Sequence, residues 1–290
     1  MSTSSTSDAF RAFVTFNRVT PIRYFAIDVV LFGLPLAITV QDGGLDLTAG
    51  IAFASMLLVR GSILTHDDYF DAESDAIEKP YRPIPSGLVT KTQAFWMGAA
   101  MLAGGLGLAA LVGQSFLAAA TLLYVILIAD PLVFNHLDVT GISTLVTVTS
   151  ISMFSVMGWT VYGGLTAGLV AIFAATWLWD ICHDTIGAYL DSDGDRRAGI
   201  ASLGRDFSRA AVAGTIAVSL TVSMAILLGF FHQGLPSIVL PVVLLAGTLV
   251  ATFSFGRNRV GPTTVRHAVE WYVVGSYAWL GLFYLVDVPL

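Results

Sequence analysis

With 290 residues, 56% of them hydrophobic and only 12% charged, the chain lies far from soluble proteins, in which roughly a quarter of residues carry charge. A net charge of −6 and a lack of basic runs exclude a nucleic-acid partner. The single cysteine, Cys182, excludes an intrachain disulfide framework, and without CxxC or HExxH spacing any metal is expected on oxygen ligands.

The first twenty residues, MSTSSTSDAFRAFVTFNRVT, lack the positive start, apolar centre and small-residue cleavage site of a secretory signal, so no removal is expected. Apolar runs then recur along the chain, long enough as helices to cross about 30 Å of hydrocarbon. Gly, Pro and charge divide them into nine predicted spans near 22–41, 49–66, 91–112, 115–136, 139–162, 165–190, 208–231, 236–254 and 266–286. The expected fold is an all-α polytopic membrane protein, a nine-transmembrane-helix bundle around a central apolar chamber, with residues 1–290 as one domain. Its two longest joints follow the second and sixth spans, and long joints in a compact bundle tend to be functional.

Of the 14 Lys and Arg residues, only Arg60 falls in the interior of a predicted span. Arg11, Arg18 and Arg23 stand before or at the start of the first, Lys79, Arg82 and Lys91 after the second, Arg196, Arg197, Arg205 and Arg209 after the sixth, and Arg257, Arg259 and Arg266 after the eighth. All thirteen share one side of the membrane. The positive-inside rule predicts a protein of the cytoplasmic (inner) membrane with its amino terminus and both long loops in the cytoplasm and Leu290 outside.

Two acidic stretches occupy those loops. Asp67, Asp68, Asp71, Glu73, Asp75 and Glu78 end the second span; Asp180, Asp184, Asp191, Asp193 and Asp195 end the sixth. Asp67, Asp71 and Asp75 are four apart, so a continuing helix lines them up in one stripe that turns about 40° per step. Acids beside a membrane are often merely solvated, but these begin inside apolar spans, where ionisable groups are costly and usually functional. Crowded carboxylates repel unless a cation joins them. Mg²⁺ suits the task, since it binds one or two carboxylates together with waters and phosphate oxygens. Two facing clusters would thus hold Mg²⁺, the ions would hold a diphosphate, and Lys79 and Arg82 would complete its neutralisation. Pro80, Pro83 and Pro85 stiffen the loop that presents these cations, and Gly87 permits the turn into the next helix. The pairs His66-Asp67 and His183-Asp184 form an internal echo, as two related halves around one site would.

These residues resemble the UbiA superfamily of intramembrane prenyltransferases, which includes terpene cyclases. Asp67-Asp68-Tyr69-Phe70-Asp71, Asp75 and KPYRPIPSG follow its first signature, Asn-Asp-x-x-Asp-x-x-x-Asp then Lys-Pro-x-Arg-Pro; Asp191, Asp195 and the downstream Gly199 follow its second, Asp-x-x-x-Asp. Asp67 stands where the family usually has Asn, DPLVFNHLD replaces a basic stretch after the fourth span, and His183 replaces a common Tyr.

The resemblance implies that Asp68, Asp71, Asp75, Asp191 and Asp195 hold Mg²⁺ and are catalytic. It also implies that Lys79, Arg82, Arg18, Asp67, Asp184, His183, Trp179 and Arg196 contact substrate. The implied reaction is ionisation of an isoprenyl diphosphate and prenyl transfer to a lipophilic or aromatic acceptor, with membrane lipids around the protein. Intramolecular cyclisation to a terpene is the alternative. An ion-coupled transporter is a remote third reading, since transport has no use for KPYRPIPSG beside a carboxylate stripe. Single aromatic rings are expected mostly to pack or sit at the interface, with Trp179 favoured for the chamber. His183 and His66 are proton acceptors or satisfied structural groups. Asp28 and Arg60 are expected to pair with each other or with other polar groups, and Cys182 to pack.

Overall fold

The computed structural model describes residues 22–40, 44–78, 80–133, 141–198 and 206–286. Within them the chain forms helices α1 (Ile22–Thr39), α2 (Leu47–Phe70), α3 (Ala72–Glu78), α4 (Lys91–Val112), α5 (Gln114–Leu132), α6 (Ile142–Thr160), α7 (Ala167–Ala198), α8 (Arg209–Phe231), α9 (Gly234–Gly256) and α10 (Pro262–Leu285). No strand occurs among the described residues. The nine long helices are the nine expected spans. Six of them are long and apolar enough to cross a membrane, and the apolar cores of α1 and α5 are shorter.

Local chemistry sets several ends. Thr90 accepts from the Gln93 amide at 3.2 Å while the Gln93 side chain accepts from the Thr90 amide at 3.0 Å, a reciprocal cap that starts α4. Ser208 caps α8 and Asp46 caps α2 by accepting from the Ala211 and Ala49 amides. Two ends run past the expected boundaries. The second span continues to Phe70, and the sixth passes through the DSDGD stretch to Ala198, because charge ends a membrane span without ending a helix.

The continuation at α2 decides where its acids lie. Asp71 interrupts the helix at φ −83° and ψ 0°, yet its amide still donates to Asp67 O at 2.9 Å, and the Asp75 amide donates to Asp71 O at 2.8 Å. The i to i−4 ladder therefore passes through the break into α3. Asp67, Asp71 and Asp75 stay on the stripe that their spacing predicts.

Packing links the helices as α2 with α4 and α5, α5 with α6, α6 with α1 and α7, α7 with α8 and α10, α8 with α9, and α9 with α10, which returns to α1. Buried aliphatic and aromatic side chains such as Leu31, Phe32, Met56, Met157, Ile172, Leu220 and Val273 form the continuous core. Outward faces are apolar too: Leu111, Val170, Val218 and Val250 are each at least 65% exposed. Helices apolar on both faces suit a hydrocarbon solvent.

At the α1–α6 crossing, Gly158 lets the helices meet. A Cβ there would stand 2.0 Å from Phe32 O, with backbone rather than a flexible side chain in the way. Gly33, one position along α1, has open space around it. Gly158→Ala should therefore destabilise the bundle by about 1–3 kcal/mol, as overpacking does. Gly33→Ala should be neutral or slightly stabilising. Thermal unfolding of the two variants in one detergent gives the comparison.

Candidate functional site

The end of α2, the short α3 and the loop after it place one guanidinium among several carboxylates. Arg82 Nη1 donates to Asp68 Oδ1 at 2.5 Å and to Asp75 Oδ2 at 2.8 Å. Asp75 is only 2% exposed and Arg82 is half-buried, so these charges meet away from bulk water. Burial works against the Arg82 charge, but the negative charges of Asp68, Asp75 and Asp67 outweigh it and hold its pKa above the ordinary arginine value. Asp67 lies within electrostatic reach of Asp68, Asp71, Asp75 and Arg82, which places the whole first stripe in one site. Glu73 turns outward and pairs with Lys91 at 3.2 Å.

The loop that carries Arg82 is a built turn. The Ser86 amide donates to Arg82 O at 2.9 Å, Gly87 N to Ile84 O at 3.0 Å and Val89 N to Pro83 O at 3.1 Å. Gly87 has φ +76°, the left-handed conformation that glycine accepts most readily. Val89 and Ala94 are buried together with Ile84 packed on them, which seats the loop on the start of α4.

The second cluster lies on α7. Asp184 hydrogen-bonds Thr144 of α6. The residue before it, His183, stands between Asp180, 3.6 Å from Nδ1, and Glu270 of α10, 3.5 Å from Nε2. Its ring stacks on Trp179 at 5.5 Å and 17°. Arg266 joins the group from α10, with Nε 3.3 Å from Glu270 Oε1 and Nη2 donating to Tyr24 Oη of α1 at 2.6 Å. Asp191 is exposed, seven residues beyond Asp184 on the same helix. Arg18 and Lys79 lie outside the described residues, as do the side chains of Asp195 and Arg196, whose backbones belong to α7.

Asp130, near the end of α5, connects the two clusters. It accepts from Ser143 Oγ at 3.0 Å through Oδ2 and lies within electrostatic reach of both Asp184 and Asp71. Its buried Oδ1 has no hydrogen-bond partner among the described residues. Sequence reading had passed over Asp130 as part of the divergent DPLVFNHLD stretch, and it had missed Glu270 altogether. Arg266 was counted only as a basic residue after a span. The available signal was Arg266 and Glu270 four apart on an apolar helix, one above the other.

Other expectations find plain structural homes. His66 Nε2 donates to Phe95 O at 3.2 Å and its Nδ1 lies 2.8 Å from Tyr124 Oη, as in a satisfied structural histidine. Trp179 is fully buried and donates to Val269 O at 3.0 Å, while Trp159, Trp177 and Trp279 give their indole protons to Gly164 O, Thr149 Oγ1 and Pro236 O. Cys182 is buried in the core.

Does such a site suit a divalent ion? Among the described residues no three Asp, Glu, His or Cys side chains are close enough to enclose one. Mg²⁺ does not require that: it keeps waters and substrate oxygens and needs only one or two carboxylates. The donor set fits, with hard oxygens on Asp68 and Asp75 that already share a cation's charge.

The residues from 29 to 284 match the model of the UbiA prenyltransferase family. Digeranylgeranylglyceryl phosphate synthase of Natronomonas pharaonis is 33% identical over 77% of this chain and 80% of its own. The fold matches a UbiA homologue from Aeropyrum pernix with a TM-score of 0.71 at 17% identity, over 91% of this chain and 97% of that one. It also matches a UbiA homologue from Archaeoglobus fulgidus bound to GPP and Mg²⁺, with a TM-score of 0.70 at 13% identity over 96% and 100% of the chains.

Beneath the site, Arg60 Nε donates to Asp28 Oδ2, with both residues 8% exposed and Arg60 also 5.7 Å from the Phe25 ring. Arg60→Met would leave Asp28 buried and unpaired, a loss of about 3–5 kcal/mol. The double change with Asp28→Leu should recover most of that, as measured by thermal unfolding in detergent.

Proposed function

The chain belongs to the UbiA prenyltransferase family, and we propose that it ionises an isoprenyl diphosphate at the membrane and transfers the prenyl group to a lipophilic acceptor. The observation that carries this reading is Arg82 held between Asp68 and Asp75 in a proline-stiffened turn: a fixed fork of donors beside crowded oxygen ligands is what a departing diphosphate needs. The relative named for synthesis of a prenylated glyceryl phosphate, and the homologue bound to GPP and Mg²⁺, support the same donor chemistry.

Mg²⁺ held by Asp68, Asp71 and Asp75 on one side and Asp191 and Asp195 on the other would neutralise charge on the diphosphate as the carbon–oxygen bond breaks. Lys79 and Arg82 take the outer phosphate oxygens, Arg82 with a bidentate geometry that lysine lacks. Asp67 and Asp184 set the field behind the ligands, and Arg18 and Arg196 add positive charge from the loops. The apolar interior of the bundle houses the prenyl chain and keeps water from the allylic cation. His183, fixed by Asp180 and Glu270, lies beside this interior with Trp179. The loop after α2 and the end of α7 carry the positive-inside signal, so the site opens to the cytoplasm.

Asp71→Ala and Asp191→Ala should each abolish pyrophosphate release from geranyl diphosphate while leaving a folded, detergent-soluble protein. EDTA should do the same to the wild type, reversibly on return of Mg²⁺. Full turnover in either variant would sink the two-cluster assignment. Product analysis with and without an added acceptor separates transfer, in which consumption depends on the acceptor, from cyclisation, which yields a cyclic hydrocarbon without one.

Because Cys182 is buried, introduced cysteines report orientation cleanly. Ser86→Cys should react with an impermeant maleimide only from the cytoplasmic side, and Leu45→Cys only from outside. Both positions are exposed, and the reverse pattern would invert the topology.

A further inference from the structure

Two of the carboxylates assigned to the metal also hold a side chain of the protein. One nitrogen, Arg82 Nη1, lies 2.5 Å from Asp68 and 2.8 Å from Asp75, two turns apart along α2 and α3. A guanidinium and a divalent ion cannot occupy the same position, and bringing the ion in beside the arginine adds repulsion between like charges. Asp75, almost wholly buried, is costly to leave charged without a positive partner, so exchange of the arginine for another cation costs less than its departure alone.

Departure also needs a destination. A guanidinium that leaves two carboxylates loses two charge-assisted hydrogen bonds made by one nitrogen, and a diphosphate offers charge-assisted replacements that both of its terminal nitrogens can make. The turn around Arg82 is fixed by the backbone bonds of Ser86, Gly87 and Val89 and by the packing of Val89 and Ile84. The change is therefore a swing of one long side chain from a stationary backbone.

Resting on the metal-dependent reading above, we infer that Arg82 is the resident cation of the first carboxylate cluster in the unliganded protein. It is exchanged for the metal when a diphosphate arrives to receive its guanidinium, so metal and leaving group load together. The arrangement keeps the carboxylates neutralised at rest and leaves the arginine on the leaving group at the moment of ionisation.

Binding of Mn²⁺, used as the metal probe and followed by the electron paramagnetic resonance signal of the free ion, tests this in detergent-purified full-length protein. Wild type should bind Mn²⁺ weakly alone and more tightly with inorganic diphosphate. Arg82→Gln removes the competing cation, so Mn²⁺ alone should bind about tenfold tighter or better, and the gain from diphosphate should shrink. Unchanged or weaker binding of Mn²⁺ alone by Arg82→Gln overturns the exchange. Arg82→Lys keeps the charge if the glutamine variant fails to fold; its ammonium offers the arriving diphosphate no fork, so the gain from diphosphate should fall. A wild-type gain in Arg82→Lys overturns the proposal as well. If Mn²⁺ with diphosphate binds none of these proteins, the metal-dependent reading itself fails and the exchange falls with it; binding of the pair without the effect of Arg82→Gln removes the exchange alone.

Discussion

Repulsion among carboxylates at the end of α2 is the constraint on which the site is built. Asp67, Asp68, Asp71 and Asp75 follow one helical ladder through the break at Asp71, so helix geometry keeps their backbones close together. Two unit charges 4 Å apart in a partly buried setting interact by about 4 kcal/mol. Four such groups at one helix end favour positive charge close by. Arg82 supplies it, and the rest of KPYRPIPSG serves to place Arg82: prolines limit the loop's freedom, Gly87 reverses it, and Val89 with Ile84 seats it on α4.

The interior answers to the same rule. Ionisable residues inside an apolar bundle must find partners within it, and they do so between helices distant in sequence. Asp28 of α1 pairs with Arg60 of α2; His183 of α7 meets Glu270 of α10; Arg266 of α10 reaches Tyr24 of α1. Each pairing costs desolvation and contributes little net stability, but removing one member is expensive. Their effect is to fix α1, α2, α7 and α10 relative to one another directly below the acids. The functional carboxylates thus stand on a frame whose registry is specified by buried charge, while Gly158 sets the approach of α1 to α6.

Much of this was legible in the sequence, for reasons that differ from element to element. The nine spans follow from apolar run length, because hydrocarbon thickness leaves little choice. The start of α4 could be read from Thr90 and Gln93, three apart. The Asp67, Asp71 and Asp75 stripe followed from spacing alone, given a helix that continues. What spacing could not supply was the identity of partners across the bundle. Nothing local to Glu270 says that it faces His183, eighty-seven positions earlier, and nothing local to Asp130 says that it looks toward both acidic clusters. The end of α7 was misplaced because acids and Gly194 read as a loop, whereas outside the hydrocarbon their charge is compatible with helix. The contacts of Arg82 with Asp68 and Asp75 are of the same kind as those of Glu270 and Asp130, since nothing in the order of KPYRPIPSG says which carboxylates its side chain reaches.

Asp130 sharpens the point about charge supply. The resemblance to intramembrane prenyltransferases led to the expectation of basic residues after the fourth span, and this chain has a carboxylate at the end of α5 instead, within reach of Asp71 and Asp184. Negative charge there raises the electrostatic cost of bringing a diphosphate between the clusters. The cost has to be met by cations elsewhere, and among the described residues Arg82 is the one seen between Asp68 and Asp75. A carboxylate on α5 therefore increases the dependence of the site on the loop after α3. The rigidity of that loop then has a direct electrostatic reason: a cation that neutralises more than one carboxylate has to be held where both can reach it.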